Sequence, residues 1–131
     1  GQRRPFELHR VRLDVLEAPW PTERALYSAV YCANLLHIAP WSTCAALMTG
    51  AARHLSSGGL VLVYGPFRVD GVATAPSNEA FDADLKARNA EWGLRCLAAV
   101  KREAAAQGLV LQDVLALPAN NLLMSFTRTA S

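Results

Sequence analysis

Five consecutive aliphatic and aromatic residues, Leu60 to Tyr64 (LVLVY), constrain this chain more than any other feature. The run is rich in β-formers, too short for a buried helix, and closed by Gly65-Pro66. Such a run suits a strand in the middle of a parallel sheet. Parallel neighbours need long crossover connections, so helices are expected before and after it. Upstream, Ser42 can cap a helix to about Leu55, with Cys44, Leu47, Met48, Ala51 and Leu55 on one face and Met48 as packing. Ser56 to Gly59 ends it. Downstream, Ser77 or Asn78 caps a helix through about Arg88, with Glu79 well placed in the first turn. A second helix is expected over Gly93 to Gln107, with Leu94, Leu97, Ala98 and Lys101 on one stripe and Gly108 as the stop.

The remaining segments read as strands: Leu8 to Val15, Tyr27 to Ala33 (buried on both faces), Leu109 to Leu117, and Leu122 to Arg128 after a turn at Pro118 to Asn121. The last connection is too short for a parallel crossover, so those two strands form an antiparallel hairpin. The order of elements predicts one α/β domain over residues 1–131, a layered sheet of parallel strands finished by an antiparallel hairpin.

Charge and composition remove several function classes. The net charge is +2, with no basic stripe, so neither nucleic acid nor a membrane surface is expected as a partner. Arg3, Arg4, Arg10 and Arg12 read as a solvated edge. No apolar run approaches the roughly 20 residues of a membrane span. Cys32, Cys44 and Cys96 are odd in number and lack zinc or redox spacing, and Cys32 and Cys44 read as small core residues. A reduced, cytoplasmic protein without a metal is expected. The chain holds no Walker motif, nucleophile elbow or phosphate-cradling glycine loop.

Open α/β sheets bind ligands beyond the carboxyl ends of their strands. Three such ends carry chemistry. At Asp14-Val15, a carboxylate can accept from a ribose hydroxyl or an adenine amino group. Between Ala33 and Trp41, Asn34 offers an amide, His37 a proton acceptor or orienter on an exposed loop, and Trp41 an apolar wall. At Tyr64-Gly65-Pro66-Phe67, a hydroxyl stands on a rigid strand end beside a glycine that lets a ligand approach the backbone. Asn78, Asn120 and Asn121 add amides to the same rim, although each alone fits a cap or a turn.

The strings CANLLHIAPW (32–41), YGPF (64–67), APSNEAFD (75–82), ARNAEWGLR (87–95) and PANNLL (118–123) occur in one order over most of the chain. Together they resemble the methyltransferase-like family once filed as domain of unknown function 938, which has an animal member called methyltransferase-like protein 26. The resemblance implies a Rossmann-like class I sheet of strand order 3-2-1-4-5-7-6, S-adenosylmethionine as cofactor, and methyl transfer to a small-molecule acceptor it does not identify. It assigns Asp14 and Val15 to the adenine side, Asn34 and Leu35 (with His37) to the loop beside the sulfonium, and Tyr64, Asn78, Asn120 and Asn121 to an acceptor rim. His37 is the first candidate for a proton-transfer role and Tyr64 the second, with Trp41 beside the acceptor.

The family's Glu-x-Ala-Ser-Gly-like loop and its ribose-binding acidic residue are not in this sequence. The chain is therefore expected to be the C-terminal part of one methyltransferase domain, inactive alone. Either further residues precede Gly1, or the edge of Tyr27 to Ala33 pairs with another strand, most simply in a homodimer. The rival expectation is a non-catalytic Rossmann-like module that binds a ligand or a partner protein. An oxidoreductase-type Rossmann domain fits poorly with the terminal hairpin.

Overall fold

The computed structural model describes residues 26–129. Asp14, Val15, the strand expected over Leu8 to Val15 and the turn near Thr22 lie outside them. Among the described residues six strands and three helices follow one another: β1 (Tyr27–Ala33), a 3-10 turn (Leu36–Ile38), α1 (Ser42–His54), β2 (Leu55–Gly65), β3 (Phe67–Arg68), α2 (Pro76–Arg88), β4 (Arg95–Cys96), α3 (Leu97–Ala105), β5 (Leu109–Leu117) and β6 (Asn121–Arg128).

The main sheet has the order β1-β2-β6-β5. β1 and β2 are parallel, and β6 runs antiparallel to both β2 and β5. This is the 4-5-7-6 end of the expected order. The hairpin turns through Pro118–Asn120, where Ala119 and Asn120 take left-handed backbone conformations.

The sheet has two unlike faces. On one, Val61, Val63, Met124 and Phe126 pack under Cys44, Leu47, Met48 and Ala51 of α1 and Val100 and Ala104 of α3. Burial of this apolar surface is the main favourable contribution to folding. Cys32 and Cys44 are both buried there as free thiols, and burial pushes Cys32 up to about 11. On the other face, Tyr31 is 63% exposed and Leu60, Val110 and Leu115 are exposed as well. The expectation that Tyr27 to Ala33 is buried on both faces is therefore corrected. Among the described residues, helices cover one face only, so β1 and β2 each alternate between buried and open positions.

Several boundaries also differ from expectation. Ser42 does not cap α1 but is its first residue, with Trp41 at the N-cap position and no side-chain cap. α1 stops at His54, and β2 already begins at Leu55, which pairs with Tyr27 and is fully buried. Gly58 and Gly59 therefore lie within β2, at a register irregularity, and end no helix. A Cβ on Gly59 would meet the Ser56 carbonyl oxygen at 2.8 Å and the Ser28 carbonyl oxygen at 3.1 Å, so only glycine fits. α2 begins with Pro76 in its first turn and Ala75 at the N-cap position, with no side-chain cap from Ser77 or Asn78. Proline in the first turn sacrifices no helical hydrogen bond. α3 spans Leu97–Ala105 only, with Leu97, Val100 and Ala104 on its core side. Leu94 is outside it, because its N–H donates to the buried carboxylate of Asp82 at 2.8 Å and Arg95–Cys96 pairs with Phe67–Arg68. Tertiary hydrogen bonds here outweigh the local helical pattern.

Candidate functional site at the strand ends

Three chain segments meet at the carboxyl edge of β1 and β2. Asn34 leaves β1 in a left-handed conformation with φ of 55°, and its N–H donates to the Tyr64 carbonyl at 2.9 Å. Asn34 and Tyr64 thus stand on the same sheet edge, as expected. Gly65, one residue on, faces the gap between them. A Cβ built on it would lie 3.6 Å from the Asn34 amide oxygen, 3.8 Å from His37 Cε1 and 3.5 Å from the Phe67 ring. Asn34, His37 and Phe67 therefore converge around a methyl-sized space above the end of β2.

His37 is only 5% exposed, not an exposed loop side chain as expected. The 3-10 turn folds it inward, edge-on to the Phe81 ring of α2 at 5.6 Å. Its carbonyl accepts from the Gly93 N–H at 3.0 Å. Burial, and secondly the nearby Arg95 charge, hold the imidazole below its usual pKa, so it is neutral at pH 7. Leu35 packs partly against the core. Trp41 packs there too and carries the Arg95 guanidinium over its ring at 5.5 Å, so only part of its surface is left to act as a wall.

Arg95 is a residue that sequence reading missed. It donates to the Leu36 carbonyl at 3.1 Å, the Ala39 carbonyl at 2.8 Å and the Glu91 carbonyl at 2.7 Å. It ties the 34–41 loop to the segment before α3. Its only sequence signal was its place in ARNAEWGLR.

α2 lies across the same edge. Tyr64 accepts from the Asn121 amide at 3.0 Å. Asn78, in the first turn of α2, donates through Nδ2 to the Asn120 carbonyl at 3.3 Å, and the Asn120 amide donates to the Ser77 hydroxyl at 3.4 Å. The four rim residues Tyr64, Asn78, Asn120 and Asn121 are thus brought together. Beside them is a cleft of about 220 Å³, lined by Phe67, Val72, Thr74, Asn78, Asn120 and Asn121 among others.

A charge network anchors α2 next to this cleft. Arg68 bonds Glu79 at 2.6 and 3.2 Å, Asp82 at 3.0 Å and the Thr74 hydroxyl at 3.0 Å. Lys86 reaches Asp82 at 2.7 Å. Burial alone would raise the Asp82 carboxyl, but Lys86, the Leu94 N–H and Arg68 together hold it below the ordinary carboxylate range. Among the described residues no cluster of His, Cys, Asp and Glu could hold a metal, and no helix is long and apolar enough to cross a membrane.

Solved structures with the same fold include methyltransferases. An O-methyltransferase family 2 protein from Planctomyces limnophilus, in complex with apigenin, superposes with a TM-score of 0.75 at 19% identity, over 88% of this chain and 33% of that one. Human N-acetylserotonin methyltransferase, in complex with SAM, gives 0.74 at 14% identity, over 89% and 32%. A methyltransferase of calicheamicin biosynthesis, in its SAH-bound form, gives 0.71 at 20% identity, over 92% and 34%. The chain spans about a third of the length of these proteins, and it has their Rossmann-like α/β fold. The family model described as "protein of unknown function (DUF938)" matches residues 6–128, and the chain belongs to that family.

Proposed function

We propose that this chain is the C-terminal part of a class I methyltransferase domain that transfers a methyl group from S-adenosylmethionine to a small acceptor. The observation that carries the reading is the convergence of Asn34, His37 and Phe67 around Gly65, at the carboxyl edge of parallel strands, with a cleft next door. Open sheets bind ligands at that edge. The reading also draws on the fold shared with SAM- and SAH-bound methyltransferases.

S-adenosylmethionine, when bound, supplies an electrophilic methyl on a sulfonium. The described residues fit the sulfonium side of such a ligand. His37 is neutral, so it brings no repelling charge to a cation, and the Asn34 amide oxygen is aimed at the methyl-sized space over Gly65. Leu35 forms the apolar shoulder of that loop. Asp14 and Val15 keep the adenine-side role that the resemblance implies. Displacement at a sulfonium needs alignment and exclusion of water more than charge. The buried loop and the α2 helix laid across the edge meet those needs. His37 is the first candidate to accept the proton that the acceptor loses, and Tyr64, whose hydroxyl accepts from the Asn121 amide, is the second. Trp41, Asn78, Asn120 and Asn121 bound the acceptor side. The free buried thiols fit a reducing, cytoplasmic setting. A kinship with the animal methyltransferase-like protein 26 belongs to the same reading.

Titration calorimetry with S-adenosylhomocysteine tests it. Saturable binding that Gly65→Val abolishes is expected, because valine fills the space between Asn34, His37 and Phe67. No binding, to this chain or to it joined to the rest of such a domain, would leave the non-catalytic module as the better reading.

A further inference from the structure

The cleft beside α2 has a chemical bias of its own, set by what lines it and what does not. Its walls are mostly apolar, with Phe67, Val72 and Leu122 among them. Arg68, which bonds the lining residue Thr74, is also engaged by Glu79 and Asp82. Among the described residues that line it none is ionised, so a charged ligand group would give up part of its hydration here without a partner.

Three amide oxygens on the cleft wall, those of Asn78, Asn120 and Asn121, have no partner among the described residues, and Asn78 is the most buried of the three. Asn78 is 9% exposed and lines the cleft. Its Nδ2 must be the atom facing the Asn120 carbonyl, since a carbonyl only accepts. That leaves Oδ1 as an acceptor with no hydrogen-bond partner among the described residues, on a largely buried side chain but still reached by solvent. A ligand that occupies the cleft satisfies it with an O–H or a neutral N–H donor. Size bounds the ligand further. The 220 Å³ available exceeds the roughly 150 Å³ of a cavity that takes up benzene, but falls short of the ~300 Å³ where pockets for drug-sized ligands begin.

We propose that this cleft binds an uncharged, single-ring compound that donates a hydrogen bond from a hydroxyl or neutral amine to Asn78 Oδ1. Phenols and anilines are the class that matches. Naming the cleft the acceptor subsite rests on the methyltransferase reading, whereas the ligand class rests on the lining alone.

The test is amide chemical-shift titration of the full chain with p-cresol, 4-methylanisole, 4-methylbenzoate and 4-methylbenzylamine, without cofactor. p-Cresol is expected to shift Val72, Thr74, Asn78 and Asn121 saturably, with Kd on the order of 1 mM for so small a ligand. The anisole, which lacks a donor, is expected to bind about tenfold more weakly, and the two ions not at all. Asn78→Leu should erase the preference for cresol over anisole. If that variant does not fold, Ala73→Trp, at the exposed mouth of the cleft, should block p-cresol while leaving the remaining spectrum intact. Equal binding of cresol and anisole, binding of either ion, or no saturable shift overturns the proposal. Cresol binding without S-adenosylhomocysteine binding would sink the methyltransferase reading alone; the reverse would sink this one alone.

Discussion

The Arg95 guanidinium lies over the Trp41 ring, 5.5 Å from its centroid, while its N–H groups hold the carbonyls of Leu36, Ala39 and Glu91. One side chain thereby organises the turn that carries His37 and the start of α1. Its planar fork suits several carbonyl partners and an aromatic face at once, which an ammonium does not. Arg95→Lys should therefore cost nearly as much as Arg95→Met, about 2–3 kcal/mol for hydrogen bonds from a charged group. Urea denaturation checks this; a lysine variant as stable as the parent would refute it.

The His37 imidazole gives an acid-side loss of stability. Its pKa is lowered in the folded chain, first by burial and then by Arg95. The unfolded chain, with an ordinary value near ~6.5, then binds the proton first as pH falls. Stability should be full above about pH 6.5 and decline below it, at up to about 1.4 kcal/mol per pH unit, until the folded pKa is reached. Asp82, lowered as well, contributes stability that is present above its unfolded value near ~3.9 and lost below it. Urea midpoints across pH should show both limbs, and His37→Gln should flatten only the first.

His37→Gln also separates a proton-transfer role from packing. With a neutral amide of similar reach in the same buried position, the rate of methyl transfer by this chain joined to the rest of such a domain should fall about 10²-fold or more, while S-adenosylhomocysteine affinity changes little. Unchanged turnover would leave His37 as a core residue.

Tyr64 and Asn121 should be coupled, because the Asn121 amide donates to the Tyr64 hydroxyl at 3.0 Å across neighbouring strands. A double-mutant cycle of Tyr64→Phe and Asn121→Ala should give an interaction energy of about 0.5–1 kcal/mol. Additive losses would show that the contact contributes nothing.

The two faces of the sheet should respond unequally to truncation. Leu47→Ala, in the core under α1, should cost about 2–5 kcal/mol. Tyr31→Ala, at a 63% exposed position, should stay within roughly 0.5 kcal/mol. A larger loss at Tyr31 would mean that something covers that face in solution.

Much of the architecture is legible in the sequence itself. The short apolar runs 27–33 and 60–64, the latter closed by Gly65-Pro66, the apolar stripe of 42–54 and the brevity of the 118–121 turn are local signals, and they led to the parallel strands, α1 and the antiparallel hairpin. The same logic placed Asn34 and Tyr64 on one edge, since parallel strands end on the same side of a sheet. Periodicity and chain reach are properties that a one-dimensional string carries in full. What it does not carry is which surfaces meet. His37 is buried because α2 and the segment at Gly93 close over it. α3 is shortened because Asp82, 12 residues before Leu94, takes its N–H. Arg95 became a clamp because three carbonyls from two separate segments fall within reach of one guanidinium. Each depends on distance between residues far apart in the chain, which the tertiary structure decides.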